Sequence, residues 1–176
     1  TLQGSLPAED YWREAYAKSD AADTADGRSP QNIFRLLTKK MWLDAGQEGY
    51  FRINKYSHVD SPHRDGSNGV FFFQRYQDSD NLYYAGLRAD GDAVIKKKVN
   101  GTYFVLAQKK VFPGTYSLKK PILIPKNKWI GMRAVTENLP GGTVRIRLFV
   151  DYQGDQQWDD TFDVIDDGQI GGDPFT

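Results

Sequence analysis

An all-β, two-sheet antiparallel sandwich is what this sequence predicts, and three observations carry the expectation. Aromatic residues make up 14% of the chain, and its 17 Gly and 8 Pro supply frequent turns. Residues 70 to 110 read as a meander of four strands in chain order. Along the whole chain about eight to ten short β-branched or aromatic runs alternate with turn signals, the spacing of a sandwich.

Residues 5 to 18 place Ser5, Pro7, Glu9 and Asp10 ahead of Tyr11, Trp12, Ala15 and Tyr16, the pattern of a short capped amphipathic helix. Residues 19 to 31 are small and polar with no burying period, so they read as a loop. Ile33 to Leu37 and Gly49 to Tyr56 read as strands, the second alternating Tyr50, Arg52 and Asn54 against Phe51 and Ile53. Ser57 to Asn68 carries both histidines, Pro62 and Gly66, and predicts a surface loop of the kind that edges binding sites.

The meander begins at Val70-Phe71-Phe72-Phe73-Gln74-Arg75-Tyr76 and continues through Leu82 to Arg88. Asp90-Gly91 and Asn100-Gly101 then mark two tight turns, because both pairs tolerate the positive φ that two-residue hairpins need. Val111 to Pro125 reads as an irregular connection ending in a short strand, Ile122-Leu123-Ile124. Trp129 to Val135 and Thr143 to Tyr152 are the next strands. In the latter Val144, Ile146, Leu148 and Val150 form a buried stripe, with Arg145, Arg147 and Phe149 on the other side.

At 176 residues the chain predicts one domain over 1–176, large enough to bury roughly two-thirds of its unfolded surface. Lys and Arg number 23, as do Asp and Glu, so no overall field favours nucleic acid. The absence of cysteine excludes disulfides, thiolate metal sites and cysteine nucleophiles. No apolar run is long enough for a membrane-spanning helix. The start at Thr1 fits a chain from which a signal or preceding domain has been removed, and the expected location is extracellular or periplasmic.

The run Asn81-Leu82-Tyr83-Tyr84-Ala85-Gly86-Leu87-Arg88-Ala89-Asp90-Gly91, with Lys96-Lys97-Lys98 and Asn100-Gly101-Thr102-Tyr103, resembles the middle strands of concanavalin A-like lectin/glucanase domains. Trp129-Ile130-Gly131-Met132-Arg133 and Arg147-Leu148-Phe149-Val150-Asp151 resemble the pair that follows. The resemblance covers residues 33 to 165 and implies a jelly-roll whose concave sheet holds carbohydrate. It further implies membership among glycan-binding modules, glycoside hydrolases or polysaccharide lyases. The chain departs from such relatives by stopping at Phe175-Thr176, where they add a closing strand.

Aromatic rings stack on the apolar faces of pyranoses and planar cations grip their oxygens, so the candidate ligand residues are Gln74, Arg75, Tyr84, Arg88, Lys96 and Lys98. Gly86 beside Tyr84 and Arg88 leaves a gap on that side of its strand. The bland alternative is a solvated sheet whose Lys and Arg block edge pairing. Trp42, Trp129 and Trp158 read as core or rim aromatics, since tryptophans on strands usually pack.

Catalysis is less well supplied. Glycoside hydrolysis needs paired carboxylates, yet Glu9, Glu14, Glu48 and Glu137 are not spaced together on a central strand, and Asp159, Asp160 and Asp163 read as a polar loop. A lyase acting on an acidic glycan would need a Tyr or His base near a carboxylate-neutralising cation, roles open to Tyr84, His58 and His63. No cofactor is required, though relatives of the resembled class suggest a structural calcium, for which Asp163 and Asp166 are the candidates. Asn100-Gly101-Thr102 fits an N-glycosylation acceptor as well as a turn. The partners expected are a polysaccharide or oligosaccharide and other domains of a larger chain, with a purely structural sandwich as the rival reading.

Overall fold

A computed structural model describes residues 6–19, 26–28, 37–55 and 65–176. They fall in two compact units, one spanning Thr1–Thr38 with Lys55–Asp65 and the other Lys39–Asn54 with Gly66–Thr176. In the first, α1 (Tyr11–Ser19) begins where Asp10 accepts the Trp12 amide at 2.9 Å. Glu14 and Lys18 pair one turn apart on its exposed side. The strand expected over 33–37 and both histidines lie outside the described residues, apart from Leu37 itself. No described helix is long and apolar enough to cross a membrane.

The second unit is a two-sheet antiparallel β-sandwich. One sheet has β1 (Ala45–Arg52), β6 (Trp129–Leu139), β7 (Thr143–Asp151) and β8 (Asp159–Asp166) side by side in that order. The other runs β2 (Gly69–Gln74), β3 (Leu82–Arg88), β4 (Asp92–Val99) and β5 (Thr102–Lys110), a meander in chain order. Period-two alternation decides which side chains meet between the sheets. Tyr83, Ala85, Leu87, Ala93 and Ile95 from the meander face Ile130, Met132, Ala134, Val144, Ile146, Leu148 and Val150 from the other sheet, all nearly or wholly buried.

The hairpins follow their sequence signals. Asn100 and Gly101 both take positive φ, 47° and 82°, which matches the right-handed twist of β4 and β5. At the β3–β4 turn only Gly91 is left-handed, at 85°, and its amide bonds back to the Arg88 carbonyl at 3.0 Å. A register shift between Ile95 and Lys96 leaves Leu106 of β5 unpaired, a bulge that sharpens the local twist.

Three expectations are revised. The first strand starts at Ala45 and ends at Arg52 rather than running from Gly49 to Tyr56. Ile122-Leu123-Ile124 forms no strand, although Leu123 and Ile124 are core residues and the Leu123 amide bonds the Ala89 carbonyl at 2.6 Å. Asp159, Asp160 and Asp163, read as a polar loop, lie in β8 (Asp159–Asp166). Asp159, Asp163 and Asp166 break up its β signal, while Thr161 is buried and Phe162 and Val164 pack on the core.

A charged network lies inside the sandwich. Lys97 continues the inward stripe of β4 and is fully buried, its ammonium 2.9 Å from Asp166. Asp166 also accepts the Tyr83 hydroxyl at 2.5 Å, and Lys97 donates to the Gly172 carbonyl. The Phe175 amide donates to the Tyr83 hydroxyl at 3.0 Å, and the two rings lie 5.0 Å apart. Residues from 166 to 175 are thereby fastened to the meander.

Candidate functional site

The outward face of the meander collects four of the six candidate ligand residues. Leu82, Tyr84, Gly86 and Arg88 share that side of β3, and the register sets Tyr84 between Phe73 of β2 and Lys96 of β4. Tyr103 of β5 stands opposite Lys98. Leu82 and Val94 form a buried floor outside the main core, and the rings of Phe71, Phe73, Tyr76, Tyr84 and Tyr103 lie around it.

Tyr84 is the centre of this aromatic layer. Phe71 and Tyr103 meet its ring edge-on at 5.2 and 5.9 Å. Burial raises the Tyr84 phenol well above the ordinary tyrosine value, with Tyr103 adding to the rise and Arg88 opposing it. The phenol therefore stays neutral at physiological pH, suited to stacking and to donating a hydrogen bond rather than to abstracting a proton. Gly86 sits opposite Phe71, where an added Cβ would strike the Val70 carbonyl oxygen and come within 2.8 Å of the Phe71 Cα.

The cations ring these aromatics. Lys98 and Lys96 hold their ammonium groups 5.0 and 5.8 Å from the Tyr103 ring centre. Lys98 also bonds the Ser79 carbonyl at 2.8 Å and Asp80 at 3.0 Å, and the Asp80 hydrogen bond holds it above the usual lysine range. Arg88 pairs with Asp90 at 2.6 Å, while Asp92 takes Lys110 at 2.8 Å. Two of the facing cations thus carry their own carboxylates, and the surface is mixed in charge. It can stack on sugar rings and bond hydroxyls.

Gln74 and Arg75 do not join this face. Gln74 has the same parity as Val70 and Phe72, so it points between the sheets and accepts from the Thr136 hydroxyl at 3.0 Å. Arg75 leaves the strand at φ 49°, and its buried guanidinium bonds Asp44 at 3.0 Å, Asn138 at 3.1 Å and the Phe175 carbonyl at 3.0 Å. Burial lowers the Arg75 pKa and Asp44 offsets part of that. Both side chains are buried and bonded within the scaffold, away from the outward face of the meander.

The two aspartates put forward for calcium are taken by side-chain cations. Asp166 compensates Lys97 inside the sandwich, and Asp163 forms a two-pronged pair with Arg145, whose hydrogen bond pulls the Asp163 carboxyl below its ordinary value. Among the described residues no three His, Asp or Glu side chains converge as a metal centre would require.

The opposite sheet carries two of the tryptophans read as core or rim aromatics, one exposed and one half-buried. Trp129 is 51% exposed, and Arg52 lies 5.4 Å from its ring centre. Trp158 faces Tyr50 at 5.8 Å and carries Arg133 4.5 Å from its own ring centre. The parity of β6 was the available signal: Trp129, Gly131 and Arg133 are opposite in phase to the buried Ile130, Met132 and Ala134. No family model, curated protein or solved structure matches the chain.

Proposed function

We propose that the second unit is a carbohydrate-binding sandwich that recognises a polysaccharide outside the cytoplasm through the outward face of β2–β5. The observation that supports this most is the Tyr84–Tyr103 pair, two half-buried or exposed rings 5.9 Å apart, bordered by Lys96, Lys98 and Arg88 and by the side-chain-free Gly86. A layer of this kind offers C–H faces a place to stack and hydroxyls several charged partners. The resemblance of residues 81–103 to concanavalin A-like strands points the same way. In this reading the site binds and holds, with no bond made or broken.

A glycan array on the purified chain tests it, repeated with Tyr84→Ala and Tyr103→Ala. The expected result is a polysaccharide ligand whose affinity falls about tenfold or more in each variant, the loss of one good stacking contact. Unchanged binding by both variants would move the site elsewhere. An array with no binder would leave a structural sandwich.

A further inference from the structure

We propose a second ligand site, on the outward face of β1–β6, that takes a carboxylate-bearing saccharide across Trp129 and Trp158. The site is built, not merely exposed. Asp151 at the end of β7 is wholly buried and accepts the backbone amides of Gln153, Gly154, Asp155 and Gln156 at 2.7 to 3.2 Å. It also accepts the Tyr50 hydroxyl at 3.2 Å. That loop presses Gly154 against the base of Trp129, where an added Cβ would lie 3.0 Å from the Trp129 Cβ, and then delivers Trp158 to the same face.

Gly131 makes the second indole's seat. A Cβ there would come within 2.9 Å of the Trp158 ring and 2.8 Å of Tyr50, so only glycine lets both rings settle on the strand. Trp129 stands two residues earlier on the same side, about 7 Å along the strand. The two indoles are therefore held at a fixed spacing before any ligand arrives, which lowers the ordering cost of binding.

Charge selects the ligand. Arg52 has Trp129 as its neighbour and no carboxylate partner among the described residues. Lys128 is held by Gln153, a neutral group. Arg133 gives only its Nε to Glu48, at 2.7 Å, which leaves the ends of its guanidinium for another oxygen pair. Arg52 and Lys128, which pair with no carboxylate among the described residues, and the open edge of the Arg133 guanidinium suit a carboxylate, while the indole faces suit the C–H face of a pyranose. Farther along the sheet Arg145 pairs with both Glu137 and Asp163, and Arg147 lies 3.6 Å from Glu137.

The test is an NMR titration of the indole N–H signals with oligogalacturonate and, separately, its methyl ester. The chain has four tryptophans, so Trp12 and Trp42 serve as internal controls. The Trp129 and Trp158 signals are expected to move with the acid, in the wild type and equally in Tyr84→Ala. Arg52→Met, which keeps a side chain against the indole, is expected to weaken the acid about tenfold and leave the ester unchanged. Still indole signals at millimolar oligogalacturonate overturn the proposal, as does an equal effect of Arg52→Met on both probes. Shifts that vanish in Tyr84→Ala would assign the acid to the meander face and overturn this site while sparing the other.

Discussion

Lys97 and Asp166 form an ion pair 2.9 Å apart whose side chains are 0% and 1% exposed, in a mainly apolar core between the two sheets. The pair survives there because its remaining hydrogen-bond capacity is met by Tyr83 and the Gly172 carbonyl.

Removing one partner leaves a bare charge in the core. Lys97→Met is expected to destabilise the sandwich by about 3–5 kcal/mol in urea titration, and Lys97→Met with Asp166→Leu by clearly less. Equal losses in the single and double variants would show that the pair's charge is not what the core must balance.

The Asp151 carboxyl gives the fold an acid-side weakness. Burial alone would raise its pKa, but the backbone amides of Gln156, Gly154, Asp155 and Gln153 outweigh that and hold it below the ordinary aspartate value. A carboxyl depressed in the folded state stabilises above its unfolded pKa of about 3.9, and that stability drains away as pH falls through the lower folded value. The urea midpoint is expected to drop between pH 5 and pH 2. Asp151→Asn, which keeps the shape and loses the charge, is expected to be weaker at pH 7 and to show a flatter profile over that range.

Of the sandwich architecture, much was readable in residues 70–110 and 129–152. There the alternation is clean and Asn100-Gly101 has only one comfortable geometry, so strands, turns and the Val144–Val150 stripe all emerge. β8 was hidden because its aspartates are answered from other strands, by Arg145 and Lys97, and such compensation leaves no local trace. Arg75 misled for a related reason. A left-handed φ at its position turns the side chain away from the face that strand parity would give it. Lys97 shows the same limit, since lysine on an inward stripe reads as surface until its counter-ion is located.

Gly86 is expected to tolerate no side chain. Gly86→Ala would drive a methyl group into the Val70 carbonyl and the Phe71 backbone, at a cost of about 1–3 kcal/mol in urea denaturation. A neutral alanine would mean that β2 and β3 separate more easily than their register suggests.

The β4–β5 hairpin offers a contrast. Around Gly101 the nearest obstacle to an added methyl group is an Asp80 oxygen 3.6 Å away, an ordinary contact, so strain there comes from φ 82° alone. Gly101→Ala is expected to cost about 1 kcal/mol, with β5 amides exchanging faster with solvent deuterium while those of β7 stay protected.

The fastening of Phe175 and Asp166 to Tyr83 and Lys97 joins positions 92 and 83 residues apart to a single tyrosine. During synthesis the meander leaves the ribosome long before its counter-charge exists. Lys97 must wait in water or against a chaperone until Asp166 has been added, so the two sheets can close over it only once β8 has been made.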